Sequence, residues 1–357
     1  MSSSSFRLLQ LPSLTFKEII EKIGIKEQMS SSSFPLLRLP SLALKEIIEK
    51  VELKEQFNLS RCSKRMYYVV KYYRGKLPLS LKLIGSKDYT EMYIFNPKNL
   101  KNAVGFEVRA DGIYRFEIFC WDSYSGKFIK EAERFKEAKR LYFIGKNVIQ
   151  GTKFLVELLY DLFEAKAEEV SVDDESIWML DFVEERQGGY SYDAVVPYNG
   201  RSNNEQSKHI LLDLKPRSLC FSQTTSSKFR VENFHKKYEN LTIGEGRWMT
   251  VENLCQLDCV KIEVNGQYFS NTEINRYLRH VLSGGAPRLR EFSAAVHKPI
   301  EDMIMDGVQE LLIESERFED EFGDWEWNGK VAGGEGLVSI KLTGLAWFRQ
   351  TVHLEMK

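Results

Sequence analysis

Residues 34–70 read FPLLRLPSLALKEIIEKVELKEQFNLSRCSKRMYYVV. Pro40 closes an extended entry segment, Ser41 offers an N-cap, and Glu46 places negative charge near the positive end of a helix. Leu44, Ile47, Ile48 and Val51 then fall at i, i+3, i+4 and i+7, the spacing that gathers four apolar side chains on one helical face. A short second helix is expected to hold Phe57 and Leu59, and a third to start near Ser63 with Met66, Val69 and Val70 facing inward. Three short helices in about 40 residues enclose little interior, so the unit is expected to lean on a neighbour or a partner.

Immediately upstream, the opening of the chain is written twice. MSSSSFRLLQLPSLTFKEIIEKIGIKEQ is followed from Met29 by MSSSSFPLLRLPSLALKEIIEKVELKEQ, and the two copies agree at 21 of 28 positions. The differences keep apolar character: Phe16 becomes Leu44, Ile23 becomes Val51 and Ile25 becomes Leu53. Only the second copy runs on into FNLSRCSKRMYYVV. Two copies are too few for a solenoid, which needs about three repeats to bury a continuous core. The pair reads as a local duplication, or a start placed one segment early, and the second copy as the functional one.

At 357 residues the chain exceeds the usual single-domain length, and 43% hydrophobic with 28% charged residues is an ordinary globular composition. Fifty basic against fifty-one acidic residues leave a net charge of -1, which gives no global attraction to nucleic acid or to an anionic membrane. No apolar run reaches the roughly 18 to 20 residues of a membrane span. The Ser-rich start has no basic region leading into an apolar core. The expectation is therefore an intracellular protein, cytoplasmic or nuclear, with neither nucleic acid nor membrane as partner. Cys62, Cys120, Cys220, Cys255 and Cys259 are odd in number and widely spaced, as reduced thiols would be.

Four regions follow from pattern. Residues 1–33 are the duplicated start, expected to be poorly ordered or peripheral, and 34–75 are the three-helix unit. In 76–150, LSLKLIG, EMYIF, VGFEVRA, YRFEIFCW and RLYFIG alternate in character between turn formers such as Asn96-Pro97, and predict a small antiparallel meander interrupted by a helix over 128–140. In 151–357 helices and strands alternate. TKFLVELLYDLFEA puts Phe154, Leu155, Leu158, Leu159, Leu162 and Phe163 on one helical side, with EEVSV the strand after it. RSLCFS, ENLTIGE, CVKIEV and LREFSAAV are further strands, and TVENLCQL and NTEINRYLRHVLSG helices. Strand centres near 220, 242, 261 and 291 recur at a spacing close to that of leucine-rich repeats, which predicts a parallel, leucine-rich-repeat-like α/β domain.

Catalytic and cofactor chemistry finds no convergent pattern. Cys255 and Cys259 lack two further ligands at zinc spacing and read as small core residues. No H-E-x-x-H pair or G-x-S-x-G elbow is present. GEG at 244–246 and AGGEG at 332–336 complete no phosphate loop and read as turns. Asp173-Asp174 and EDEFGD at 319–324 read as solvated faces. Arg61, Lys64 and Arg65 beside Tyr67 and Tyr68 could suit nucleic acid, but serve equally as a polar surface for an acidic partner. Trp325, Trp327 and Trp347 with Phe322 and Phe348 read as sheet core more readily than as interface anchors. No cofactor, metal or catalytic residue is assigned.

The segment from Phe34 to Val70 resembles an F-box, the adaptor-binding module of cullin-based ubiquitin ligases, through Leu39-Pro40, the Leu42, Ile47, Ile48, Val51 series and NLSRCSKR, with wording closest to nematode F-box families. LLYDLFEAKAEEVSV, ENLTIGEGRWMTVENLCQLDCVKIEV and SNTEINRYLRHVLSGGAPRLREFS resemble the second type of nematode F-box-associated domain, with RHVLSGG standing where that family has a tryptophan-containing turn. The resemblance implies a non-catalytic substrate receptor of a Skp-cullin-F-box ubiquitin ligase. It implies that Leu36, Leu39, Pro40, Leu42, Ile48 and Leu59, with Ser63, dock a Skp-type adaptor and through it a cullin, while the carboxy-terminal domain holds an unknown target protein. A scaffold that binds proteins without joining a ligase is the alternative.

Overall fold

The computed structural model describes residues 36–110, 139–145, 147–189, 191–198, 203–320, 324–331, 336–343 and 350–356. The chain forms two compact units, Met1–Leu83 with Asp88–Lys166, and Ile84–Lys87 with Ala167–Lys357. The duplicated start, the strand YRFEIFCW and most of the helix expected over 128–140 lie outside the described residues.

In the first unit a single 3-10 turn, Leu36–Arg38, precedes α1 (Ser41–Lys50), α2 (Leu53–Ser60) and α3 (Lys64–Tyr73). Ser41 is already helical, and the N-cap position belongs to Pro40, which correct the expected cap. The proline ring holds the entry in its extended conformation, and the Pro40 carbonyl accepts the first helical bond from the Leu44 N–H at 3.0 Å. Leu44, Ile47, Ile48 and Val51 are all buried, as their spacing requires. Gln56 reaches back from α2, and its Nε2 donates to the Ile48 and Val51 carbonyls at 3.0 Å each, which satisfies the carbonyls that the end of α1 leaves open. Ser63 caps α3, its Oγ accepting from the Met66 N–H at 3.1 Å. Met66 and Val70 face the interior, and Val69 is half-buried.

The strands of this unit are β1 (Ser80–Gly85), β2 (Tyr89–Asn96), β3 (Asn99–Ala110) and β4 (Lys139–Gly145). β2 and β3 are antiparallel, with Met92 opposite Phe106, but β4 runs parallel to β3, so the expected antiparallel meander ends there. A parallel neighbour cannot be reached by a tight turn, and 28 residues separate the two strands in sequence. Lys139 and Arg140, expected in a helix, open β4 instead.

α4 (Val148–Phe163) completes the unit. Its N-cap Asn147 accepts from the Ile149 and Gln150 N–H groups, and Leu155, Leu159, Leu162 and Phe163 are buried. Phe154, expected on the same side, is exposed. The helical trio leans on α4 as expected: Asp161 accepts from the Tyr67 hydroxyl and from Lys71 Nζ, the latter at 2.6 Å, and the buried Arg74 guanidinium meets Glu164 at 2.8 Å. Phe57 packs edge-on against Phe106 of β3, with ring centroids 4.9 Å apart.

The second unit is built on strands that recur along the chain. β5 (Lys166–Val172), β6 (Asp193–Val196), β7 (Ser218–Phe221), β8 (Asn240–Ile243), β9 (Lys261–Phe269) and β10 (Glu291–Val296) pair in chain order, all parallel. Their connections hold α5 (Trp178–Gln187), α6 (Asn204–Lys208) with a π-helical turn at His209–Asp213, α7 (Val251–Cys255), and α8 (Asn271–His280) with a π-helical turn at Val281–Gly285. β6, α5 and α6 escaped the sequence reading. Successive coils lock together by backbone bonds 22 residues apart, from Glu239 N–H to Arg217 O at 2.8 Å and from Val260 N–H to Tyr238 O at 3.1 Å. Where the chain from β7 to β8 has no helix, Phe229 and Phe234 pack edge-on against the buried Trp248, each 5.7 Å away.

After α9 (Glu301–Met305) the chain turns antiparallel. β14 (Thr351–Met356) pairs with β10, then β13 (Leu337–Thr343), β12 (Trp325–Val331) and β11 (Leu312–Glu319) follow in order, closing this end of the parallel array. Asn275 of α8 holds α9 in place, its Nδ2 donating to the Ile304 and Asp306 carbonyls at 2.9 and 2.6 Å. In RHVLSGG, Gly284 takes a left-handed φ of 84° and Gly285 lies against the His280 ring, where a Cβ would clash with the imidazole. The architecture is mixed α/β, an amino-terminal helical region followed by extensive sheet.

Candidate docking surface of the amino-terminal helices

The entry to α1 presents apolar side chains to solvent. Leu36 and Leu39 are half-buried, Pro40 is exposed, and Leu42, in the first turn of α1, is 69% exposed. The reason is helical phase: Leu42 lies outside the buried stripe of Leu44, Ile47, Ile48 and Val51. Ser63 is exposed, with its Oγ engaged as the α3 cap.

Two residues of the expected docking set stand elsewhere. Ile48 is 0% and Leu59 4% exposed, both inside the three-helix unit. They are corrected from surface to core, since the apolar side chains that hold three short helices together cannot also face outward. The set thus separates into an outer group (Leu36, Leu39, Pro40, Leu42 and Ser63) and an inner pair.

α3 adds surface that sequence reasoning treated as polar. Lys64, Tyr68 and Tyr72 lie at i, i+4 and i+8 and are all exposed, opposite Met66 and Val70. Tyr72 is the more open of the two tyrosines, at 82%. The i+4 period was visible in KRMYYVVKYY, but the adjacent Tyr67 and Tyr73 obscured which tyrosines belong to the outer stripe. Tyr67 bonds Asp161, and burial together with that carboxylate pushes its phenol well above the usual range. Of the basic cluster, Lys64 and Arg65 are exposed, while Arg61 lies over the Phe57 ring, 5.8 Å from its centroid, with burial lowering its pKa.

Several other residues singled out in the sequence have structural roles. Cys259 is buried, and burial pushes its thiol up to about 12, away from thiolate chemistry at neutral pH. Among the described residues no three His, Cys, Asp or Glu side chains converge to hold a metal ion. Asp173 shapes a turn, accepting from the Lys87 N–H at 2.8 Å and the Glu175 N–H at 3.2 Å, and Asp174 bonds the Gln223 amide. Trp325 is buried in the sheet, and Trp327 Nε1 donates to Glu301 at 2.8 Å. Phe322, Trp347 and Phe348 lie outside the described residues. No described helix is long and apolar enough to cross a membrane.

Comparison with protein families gives two matches. Residues 36–77, which span α1 to α3, match the family described as F-box domain, and residues 231–294, from the coil before β8 into β10, match the family described as F-box associated. An F-box followed by an F-box-associated domain suggests an F-box protein of the substrate-receptor type, assembled from modules that are typically non-catalytic. F-box domains typically bind Skp-type adaptors. Neither the curated proteins nor the solved structures give a match to this chain.

Proposed function

We propose that the protein is the substrate-recognition subunit of a Skp-cullin-F-box ubiquitin ligase. The Skp-type adaptor seats on Leu36, Leu39, Pro40 and Leu42, with Ser63 at the border, and links the receptor to a cullin. The second unit carries the target protein. The reaction is accelerated by proximity: a target lysine held near a ubiquitin-charged enzyme reacts at high effective concentration, and the receptor needs no catalytic residue.

The observation that supports this reading most is the exposure of Leu42 at the head of α1, inside the stretch that matches the F-box. A large aliphatic side chain left in water is favourable to cover. The test is affinity purification of the full chain from cells, beside the Leu39→Ala/Pro40→Ala double variant, with mass spectrometry of what comes with each. Adaptor and cullin accompany the wild type and are lost from the variant, whereas clients of the second unit remain. Recovery of clients with neither adaptor nor cullin would replace the ligase by a scaffold.

A further inference from the structure

The sheet of the second unit has one face turned to the helices and one turned away. Val170, Ala194, Leu219, Leu241, Ile262 and Phe292, one from each parallel strand, are buried. Their neighbours in sequence point the opposite way, because side chains alternate along a strand. Strand register aligns those neighbours into two rows, since residues paired across a ladder share a face.

The inner row runs Ser171, Val195, Cys220, Thr242, Glu263 and Ser293 across β5 to β10. It continues through His353, Lys341 and Glu326 on β14, β13 and β12. The outer row runs Glu169, Asp193, Ser218, Asn240, Lys261 and Glu291, with the Asn240 amide donating to Ser218 Oγ at 3.2 Å. It continues through Glu355, Ser339, Asn328 and Glu316. Every residue of both rows is half-buried or exposed.

Two properties of this face define what it fits. Its centre is floored by small side chains, Ser171, Val195, Cys220, Thr242 and Ser293, so it is shallow and offers little depth for a partner's bulky apolar groups. Its charge is one-sided although the whole chain is nearly neutral. In the outer row Glu169, Asp193, Glu291, Glu355 and Glu316 stand with Lys261, and in the inner row Glu263 and Glu326 stand with Lys341. Arg217, just before β7, adds one cation by gripping Asp193 with two bonds of 2.9 and 2.8 Å. With Lys330 of β12, which shares this side and pairs with Glu314 of β11, eight carboxylates meet four cations, and Asp193, Glu291 and Glu326 are held by Arg217, Lys261 and Lys341. His353 adds none at neutral pH, since burial and then Lys341 lower its pKa.

We infer that the open face of this sheet binds a lysine- and arginine-rich segment of the partner protein, laid across the strands with its long cationic side chains reaching the two acidic rows. If the receptor reading above holds, this face is where cargo is selected. A shallow floor suits a partner that brings its own long side chains, and surplus carboxylates on a protein of net charge -1 supply the complementarity.

The test uses the full chain and a fluorescein-labelled decalysine peptide, followed by fluorescence anisotropy at low ionic strength. Decalysine binds, decaglutamate does not, and binding is lost at about 0.5 M salt, where charges are screened within a few ångströms. Removing one carboxylate of this face weakens binding about threefold, so Glu263→Gln/Glu355→Gln weakens it about tenfold, while Glu185→Gln/Glu252→Gln, on α5 and α7, leaves it unchanged. A decalysine carrying a terminal diazirine labels β7 to β10 and β14 of the wild type, independently of any variant. Equal binding by the Glu263/Glu355 variant, absence of decalysine binding at low salt, or labelling confined to the helices would overturn the inference. Adaptor pull-down with the same variants stays at wild-type level. Failure of the wild type to bind adaptor would remove the receptor reading and leave the acidic face standing.

Discussion

Truncating Leu42 and Ile48 to alanine, one at a time, separates two kinds of residue that a single motif mixes. Leu42 is 69% exposed, so about a third of its side chain touches its own chain. With about 1.5–3 kcal/mol for burying a leucine completely, Leu42→Ala costs the fold less than about 1 kcal/mol. An adaptor that covers the remaining two thirds gains about 1–2 kcal/mol, so the same change weakens the complex roughly 5- to 30-fold. Ile48 is 0% exposed, and its truncation leaves a cavity that costs about 2–5 kcal/mol, a large share of what a unit this small possesses. Native-state hydrogen exchange of the α1 to α3 amides reads the stability change, and calorimetric titration with purified adaptor reads the affinity. Leu42→Ala leaves protection of these amides near the wild-type level and weakens binding, whereas Ile48→Ala lowers both. The reasoning fails if Leu42→Ala destabilises the helices as much as Ile48→Ala, or if it leaves adaptor affinity intact in a folded protein.

Three further changes bear on the rest of the molecule. His209 bonds Asp181 through Nε2 at 2.7 Å and Asp213 through Nδ1 at 2.9 Å, and only the imidazolium can donate both bonds. Burial disfavours its charge, but the bonds to Asp213 and Asp181 outweigh it and the pKa stands above 6.5. The stabilisation is therefore complete below pH 6.5 and is lost as pH rises through the higher folded value. In urea, wild type should exceed His209→Asn by more at pH 6 than at pH 8.5, by under about 1 kcal/mol for so accessible a pair, and an equal margin at both refutes the clamp. Gly246→Ala puts a Cβ within 2.7 Å of Val264 Cγ1 and 2.9 Å of the Asn265 carbonyl, so it should lower the urea midpoint by the equivalent of about 1–3 kcal/mol, and an unchanged midpoint would show that this contact relaxes freely. Deleting residues 1–28 should leave adaptor affinity at the wild-type level, because the first copy has no NLSRCSKR to follow it, and a large loss would assign that copy a role in docking.

The parts of the fold that a local pattern specifies were the legible ones. The helical period of Leu44, Ile47, Ile48 and Val51 names a buried face without knowledge of any neighbour, and β7 to β10 announce themselves by apolar runs that recur about every two to three dozen residues. What depends on pairing was not legible. Nothing in RLYFIG tells a parallel from an antiparallel neighbour, so β4 was misread. DAVV of β6 is too short to stand out, and in α5 Met179, Leu180 and Val183 form a stripe of a single turn. Within the docking set, motif resemblance marks residues that matter but not why: Ile48 and Leu59 matter to the core, and Leu42 faces water. The acidic rows were invisible for a related reason. Glu263, Glu291 and Glu355 are scattered over 93 positions and become neighbours only through strand register.

The central claim is that the head of α1 stays uncovered so that a second protein can seat there. Size-exclusion chromatography of the full chain mixed with purified Skp-type adaptor measures this directly. The account predicts that wild type elutes with the adaptor as one complex, and that Leu39→Ala/Pro40→Ala elutes separately while its circular dichroism matches wild type. Separate elution of the wild type, or co-elution of the double variant, would contradict it.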